Sequence, residues 1–388
     1  MRRLNTPILF VLLFAALSLN WKNPELSKAK GAPFFKMNLS GKVLFVSEYQ
    51  KGIRVFDITD VTSPRSVSFL SIAGNADIAT TGNVLFVDSF KDLLIYDFSS
   101  QFRLVPIDTI KDVFANYNFQ KIYPSSEESN SIGGLAGCEG CTKTDAISGP
   151  AASQSAPSVE ENMIASSIDG TSGYIHAPFM SRFAIVQHYL YCADNSELVI
   201  FDIANPKAPR FISRIKIGFG IEMMSMEDNL LFIGRSGGKS IFSLDDPKNP
   251  ILVASMTDAG SIDPVACENG IAYISASDVM MNAGRIDIVK VRPSSNPEAL
   301  GTMAIGTAFG LTVSEKKAFI ALGAEGVKII DASQPSQVSE VGKIYGVNVF
   351  DIIKRENTLF TVGQMGIYIF DCTDLRDPIR IGTIKNKM

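Results

Sequence analysis

The strongest constraint on the fold is an internal repeat of about forty residues. Five segments end an apolar run with Asp, and two more fit the same spacing with Ser243 or Lys290 at the marker position. One interval carries about 64 extra residues; without them, the chain from Ser40 onward fits seven units of about 41 residues better than six or eight. The five marker carboxylates are Asp57, Asp97, Asp202, Asp331 and Asp371.

Each unit has the composition of four short strands. Segments such as NVLFVDSF and DLLIYDFSS are rich in Val, Ile, Phe and Tyr and are separated by Gly, Asn, Asp and Pro. Four strands in a unit of this length predict one blade of a propeller. The sequence therefore predicts an all-β fold, a seven-bladed β-propeller of four-stranded antiparallel blades, as a single domain over residues 34–388.

The marker Asp recurs in five units, which excludes it as a unique catalytic residue. Asp side chains commonly accept hydrogen bonds from backbone N–H groups of the turn that follows them. We therefore predict a structural turn at each marker Asp.

The apolar runs LLIYD, LVIFD, VKIID and IYIFD resemble the LVIVD repeat family, over about residues 34–115 and 179–388. The stretches GNADIA and SRFAIVQHYLYCAD look like those of exported bacterial members. The resemblance implies an extracytoplasmic β-propeller, but it implies no reaction and no catalytic residues. Ser243 and Lys290 depart from the motif, so the motif does not predict an Asp turn at these two positions.

The N-terminus has the pattern of a signal peptide, predicted over residues 1–18. Arg2 and Arg3 precede an apolar run, residues 8–17, that is too short to cross a bilayer. No Cys follows this run, so we expect a soluble exported protein (periplasmic, cell-surface or extracellular) that is not a lipoprotein. No transmembrane span is expected once the signal is removed; an uncleaved anchor is the alternative.

Charge and histidine content exclude several function classes. The net charge is −4, which lacks the basic footprint of a nucleic-acid-binding protein. The chain has two histidines, His176 and His188, and neither accompanies a nucleophile motif. We expect a monomer that binds no nucleic acid and carries no predicted cofactor.

The long interval is predicted to be a flexible Ser/Gly-rich insertion, residues 116–173, within the propeller. A binding loop and a linker without function are both open. It contains Cys138 and Cys141, for which a local disulfide is predicted in an oxidising compartment. Metal binding is the alternative there, but the two further ligands that zinc requires are not evident, and no metal site is assigned.

The first strand of each blade should line the central channel. Aligning the units places several charged residues at one level of that channel, where carboxylates could bind calcium or another hard divalent cation, or a cationic ligand. The alternative is a solvated wall whose charges pair with one another. The candidates are Lys36, Asp77, Arg182, Glu222, Asp263 and Asp351.

Two functions remain from these observations. The first is a non-enzymatic binding or surface-assembly module that contacts a protein or glycan at the cell surface. The alternative is a hydrolase or lyase that works in the channel through carboxylates, with or without a metal. The fold itself does not choose between them.

Overall fold

The computed structural model describes residues 34–48, 51–100, 102–116, 181–218, 220–227, 229–235, 238–256, 264–278, 283–291, 297–363 and 365–386. They form seven four-stranded antiparallel sheets, each built from strands consecutive in the chain. The predicted seven-bladed β-propeller is confirmed. The predicted signal segment and nearly all of the insertion, with Cys138 and Cys141, lie outside the described residues, as does His176.

The blades are numbered in chain order, from the innermost strand outward. Blade 1 contains β1 (Phe34–Ser40), β2 (Val43–Glu48), β3 (Gly52–Asp57) and β4 (Arg65–Ser71). Blade 2 contains β5 (Ile78–Thr81), β6 (Val84–Ser89), β7 (Asp92–Ser100) and β8 (Arg103–Ile110). Blade 3 contains β9 (Phe183–Val186), β10 (Tyr189–Asp194), β11 (Glu197–Asp202) and β12 (Arg210–Lys216).

The remaining blades follow the same order. Blade 4 contains β13 (Ile221–Glu227), β14 (Leu230–Arg235), β15 (Gly238–Ser243) and β16 (Ile251–Met256). Blade 5 contains β17 (Val265–Glu268), β18 (Ile271–Asp278), β19 (Ala283–Lys290) and β20 (Glu298–Ile305). Blade 6 contains β21 (Gly310–Ser314), β22 (Lys317–Ala321), β23 (Val327–Asp331) and β24 (Ser339–Ile344), with a short 3-10 helix (Pro335–Gln337) before β24. Blade 7 contains β25 (Asp351–Arg355), β26 (Thr358–Gly363), β27 (Gly366–Asp371) and β28 (Ile379–Lys385).

The apolar runs of the sequence become the middle strands of the blades. Every residue of β2 is buried, whereas β4, the outer strand of the same blade, is mostly exposed. A middle strand is covered on both faces because a neighbouring blade packs against each side of its sheet. This explains why these strands have continuous apolar runs instead of an alternating pattern.

A repeated glycine brings neighbouring blades close together. Gly301, Gly342 and Gly382 occupy the same position after a β-bulge in the outer strands β20, β24 and β28. A Cβ atom on Gly342 would lie 1.7 Å from the carbonyl oxygen of Leu375, in the turn of the next blade. On Gly382 it would lie 2.5 Å from the carbonyl oxygen of Val61, which belongs to blade 1. Blade 7 therefore meets blade 1 through a contact that also joins blades 6 and 7.

The ring closes without a shared strand. Blades 1 and 7 are each complete four-stranded sheets. Their facing sides form one apolar cluster that includes Phe34, Leu44, Phe360 and Ile369, all 0–1% exposed. Burial of these side chains holds the first and last blades together.

Within the part of the chain that the structure describes, we find no helix with the length and hydrophobicity needed to cross a membrane.

Candidate functional site

A cavity of about 200 Å³ lies on the ring axis between the inner strands. Residues in or next to the inner strands of blades 1, 4, 5, 6 and 7 line it, together with Ser181, which precedes blade 3. The lining residues are Lys36, Ser181, Met223, Met224, Ser225, Pro264, Val265, Phe309, Gly310, Leu311 and Asp351.

The cavity lies toward the end of the ring at which each inner strand begins, here called the channel mouth. The chain enters every inner strand there after leaving the outer strand of the preceding blade. Asn116, which follows β8, donates hydrogen bonds to Asp194 at the end of β10. Ser181, which precedes β9, lines the cavity itself. The described residues on both sides of the insertion therefore lie at the channel mouth.

Lys36 and Asp351 bring opposite charges to the cavity. The Lys36 Nζ atom lies 3.9 Å from Asp351 Oδ1, too far for a hydrogen bond. Asp351 Oδ2 accepts a hydrogen bond from the Met37 backbone N–H at 3.0 Å, which ties blade 7 to blade 1. Burial alone would lower the pKa of Lys36, but the charges of Asp351 and Asp77 raise that pKa above its ordinary value. The Lys36 side chain is therefore an ammonium ion.

Asp77 joins blade 2 to blade 3. Its Oδ2 atom accepts hydrogen bonds from the backbone N–H groups of Arg182, at 2.6 Å, and Phe183, at 3.1 Å. Its Oδ1 atom accepts one from the N–H of Ile78. Burial raises the pKa of Asp77 to about 6, although the nearby Lys36 charge acts in the opposite direction. The carboxyl group is thus engaged by backbone donors on both of its oxygens.

Asp88, in β6, was not among the sequence candidates. Its Oδ1 atom accepts hydrogen bonds from the backbone N–H groups of Ala76 and Asp77 and from the side chain of Asn75, each at 2.9 Å. Its Oδ2 atom lies 2.5 Å from Arg182 Nη1, and both side chains are almost fully buried. The signal available in the sequence was a carboxylate inside an otherwise apolar middle strand.

Arg182 lies beneath the channel wall instead of projecting freely into the channel. Its guanidinium group lies 4.1 Å above the Phe114 ring and pairs with Asp88. A buried guanidinium between a carboxylate and an aromatic face has the contacts that stabilise this cation. Its position fixes the residues at which the chain re-enters blade 3.

The other predicted channel residues are only partly described. Glu222 is part of β13, but its side chain is outside the described part, as is the whole of Asp263. The structure therefore brings Lys36, Asp77 and Asp351 together around the mouth, with Arg182 and Asp88 behind them. Among the side chains that the structure describes, no group of three His, Cys, Asp or Glu residues has the arrangement of a metal site.

The marker Asp residues lie in the third strands of their blades, not in the inner strands that line the channel, and all but Asp97 are the last residue of their strand. In four blades the carboxylate accepts a hydrogen bond from the backbone N–H two residues later, at 2.8–2.9 Å. Asp97 forms an ion pair with Lys207 of blade 3. Ser243, which replaces the marker in blade 4, accepts a hydrogen bond at its Oγ atom from the N–H of Asp245. The four Asp residues with this turn are Asp57, Asp202, Asp331 and Asp371.

The turn geometry also changes the acidity of these carboxyl groups. Hydrogen bonds from Thr59, together with Arg65, lower the pKa of Asp57 to about 2. Hydrogen bonds from Ser333 and Lys317 lower the pKa of Asp331 to about 2. Their contacts are those of structural carboxylates.

Comparison with known proteins adds a repeat family and several structural relatives. The LVIVD repeat model matches residues 181–216 and 305–345. No functionally curated protein matches the sequence. A protein of unknown function from Desulfotomaculum acetoxidans has a similar structure, with 12% identity over 89% of this chain and 99% of that chain and a TM-score of 0.56.

Two further structures show the same architecture. A Bacteroides fragilis protein proposed to be a 6-phosphogluconolactonase shares 12% identity over 86% of this chain and 87% of that one, with a TM-score of 0.55. The computationally designed protein Ika8 shares 10% identity over 92% and 90%, also with a TM-score of 0.55. At these identities the likeness concerns the fold alone. The chain therefore contains LVIVD repeats, at residues 181–216 and 305–345, within a seven-bladed β-propeller fold.

Proposed function

We propose that this protein is an exported, non-enzymatic binding module that holds its ligand at the channel mouth. One observation carries the proposal: an open cavity of about 200 Å³ remains on the axis, while each described carboxylate around it has at least one oxygen that accepts a backbone N–H hydrogen bond. Charged and polar side chains converge on this concave space, as they do in small-ligand sites.

The same contacts weigh against chemistry performed by these carboxylates. A general base must have a lone pair directed at the substrate proton. Both oxygens of Asp77 and of Asp88 already accept hydrogen bonds, and both side chains lie at most 2% exposed. The Lys36 ammonium lies 3.9 Å from Asp351 Oδ1, so its charge would repel a divalent cation bound to that oxygen. These arguments favour binding over the hydrolase or lyase alternative.

Export is supported by the N-terminal signal pattern, residues 1–18. The activity proposed for the Bacteroides fragilis protein is not transferred to this chain, because 12% identity carries no residue-level correspondence. A protein or glycan partner at the cell surface remains compatible with the proposal, since the described residues flanking the insertion lie at the channel mouth.

A cavity-filling variant tests this proposal. Ser225 lines the cavity, so Ser225→Phe places an aromatic ring in the ligand volume. Ser66→Phe, on the exposed outer strand β4, is the matched control. The chain from residue 19 onward is screened against small polar compounds by thermal unfolding, where a ligand at a hundred times its Kd stabilises the fold by about 2.7 kcal/mol.

We expect compounds that stabilise the wild-type chain and Ser66→Phe but not Ser225→Phe. Stabilisation that Ser225→Phe leaves intact would place the binding elsewhere and overturn the proposal. In parallel, the Tm of the chain is measured in the presence of EDTA and then in the presence of calcium, magnesium, manganese or zinc. A metal-dependent increase in Tm that Asp351→Asn abolishes would instead favour the metal-assisted alternative.

A further inference from the structure

We infer that the ligand class is a free α-amino acid with an apolar side chain, a ligand that carries an ammonium and a carboxylate side by side. This inference rests on the proposed function and deepens it, because it names the chemistry that the channel mouth recognises. The inference starts from the two charges that line the cavity, Lys36 and Asp351.

Each of these charges has unused hydrogen-bonding capacity. Among the described residues, Lys36 Nζ has no hydrogen-bond acceptor, and its nearest carboxylate oxygen, Asp351 Oδ1, is 3.9 Å away. The Oδ1 atom likewise receives no hydrogen bond from the described residues, since the Met37 N–H is directed at Oδ2. An ammonium has three donors and a carboxylate oxygen has two lone pairs. A ligand that accepts from Lys36 and donates to Asp351 satisfies both groups at once.

The surrounding charges disfavour a ligand with only one charge. An anion beside Lys36 would also meet the negative charges of Asp351 and Asp77, which already act on that ammonium. A cation beside Asp351 would be repelled by the Lys36 ammonium, which lies 3.9 Å from Asp351 Oδ1. A zwitterion places its carboxylate against Lys36 and its ammonium against Asp351, so that opposite charges alternate around the group. Charge complementarity thus favours both charges on one molecule.

Apolar side chains form part of the remaining lining. Met223 of blade 4, Val265 of blade 5, and Phe309 and Leu311 of blade 6 contribute to it. Burying an aliphatic or aromatic group against such side chains is favourable by about 25 cal/mol per Å² of apolar surface. A volume of about 200 Å³ accommodates an amino acid of the size of leucine.

A matched set of three compounds tests this chemistry. Leucine carries both charges, 4-methylpentanoate lacks the ammonium, and 3-methylbutylamine lacks the carboxylate. Each is titrated into the chain from residue 19 onward by isothermal calorimetry at pH 7. We expect leucine to bind at least tenfold more tightly than either analogue, because each analogue leaves one protein charge unpaired and meets a like charge.

Three variants assign the binding to the two charges. Lys36→Met keeps the aliphatic stem, and Asp351→Asn keeps an oxygen that accepts from the Met37 N–H. Each is expected to weaken leucine binding at least tenfold. Lys42→Met removes an equal charge from the exposed turn between β1 and β2 and is expected to leave it unchanged. The circular dichroism and Tm of each variant show whether it is folded.

The outcomes separate this inference from the proposed function. If one analogue binds as tightly as leucine, or if Lys36→Met and Asp351→Asn bind leucine normally, the zwitterion inference is overturned while the channel site stands. If the compounds found in the wider screen stabilise Ser225→Phe as much as the wild-type chain, the channel site itself is overturned. The channel site and the zwitterion inference are both supported if Ser225→Phe and the two charge variants abolish leucine binding while Ser66→Phe and Lys42→Met bind leucine normally.

Discussion

The junction between blades 2 and 3 and the junction between blades 7 and 1 are held by different forces. Blades 7 and 1 meet through an apolar cluster, the Gly382–Val61 contact and the hydrogen bond from Met37 to Asp351. Blades 2 and 3 also share an apolar cluster, but behind the channel mouth they add the buried pair of Asp88 and Arg182. The first junction uses contacts common to other blades, and the second adds a network of its own.

The covalent connections at the two junctions suggest what the network contributes. No peptide segment links blade 7 to blade 1. Blade 2 is linked to blade 3 by residues 111–182, a much longer connection than residues 345–350, which link blade 6 to blade 7. The entropy of closing the longer connection costs about 2 kcal/mol more. Blades 7 and 1 close the ring without a peptide link and without a buried pair like that of Asp88 and Arg182, so a long or missing link does not by itself require such a pair. The network instead fixes Ser181 and Arg182, the residues with which the chain returns to the channel mouth.

The largest expected effect comes from removing the carboxylate of this network. Asp88→Ala removes the acceptor of two backbone N–H groups and the partner of the Arg182 guanidinium. Breaking a buried ion pair from one side costs about 3–5 kcal/mol. Urea unfolding measures the loss. Asp92→Ala, which breaks the exposed pair with Lys111, is the control and should cost at most about 1 kcal/mol. Equal losses in the two variants would show that the network does not stabilise this junction.

The same network should make stability depend on pH in an unusual direction. The pKa of Asp77 is about 6 in the folded chain, above its ordinary value of 3.8. A carboxyl group whose pKa rises on folding opposes folding when ionised, so its penalty is present above pH 6 and is relieved as the pH falls toward 3.8. Between pH 7 and pH 4.5 this relief is about 2 kcal/mol.

Urea unfolding at pH 7 and pH 4.5 measures this effect as the difference between wild type and Asp77→Asn. We expect the wild type to gain stability relative to the variant at pH 4.5. The turn carboxylates Asp57 and Asp331, whose pKa is about 2, act oppositely, but their stabilisation is lost only as the pH falls below about 4. If the free energy of unfolding changes equally with pH in the wild type and in Asp77→Asn, the raised pKa of Asp77 is contradicted.

The blades could be predicted from the sequence because their signal recurs. A marker Asp or its replacement follows an apolar run in every unit, and the spacing alone indicates seven sheets. The inter-blade glycine was also present in the sequence, as GTM, GKI and GTI in the last three outer strands. Its role could not be recognised without the neighbouring blade, because a side chain is excluded by a carbonyl oxygen of that blade. For Gly342 this oxygen lies about 33 residues further along the chain, and for Gly382 it lies in blade 1.

The channel mouth could be predicted only in part. Aligning inner strands placed Lys36, Asp77 and Asp351 at one level, because strands that start at the same end of a ring bring their first residues together. It did not show that Asp77 would accept hydrogen bonds from the backbone of blade 3. It also missed Asp88, because that residue belongs to a second strand and reaches Arg182 across the blade junction. Contacts between blades depend on how the sheets stack, which a single repeat does not encode.

The smallest expected effect tests whether blade 7 meets blade 1 as blade 6 meets blade 7. Gly342→Ala would bring a methyl group 1.7 Å from a backbone oxygen, and Gly382→Ala would bring one 2.5 Å from the corresponding oxygen of Val61. Overpacking of this kind costs about 1–3 kcal/mol, and the closer approach should cost more. Gly82→Ala, where a Cβ meets nothing within 4 Å, reports the cost of its positive φ alone.

Urea unfolding of the three variants gives the comparison. We expect a measurable loss for Gly382→Ala that is smaller than the loss for Gly342→Ala, because blade 1 lies slightly further from its neighbour and can shift without straining a peptide link to blade 7. An unchanged stability of Gly382→Ala, with a clear loss in Gly342→Ala, would mean that the apolar cluster of Phe34 and Phe360 closes the ring without this contact. Ring closure would then differ in kind from the junctions between blades 5, 6 and 7, where the glycine contact joins the sheets.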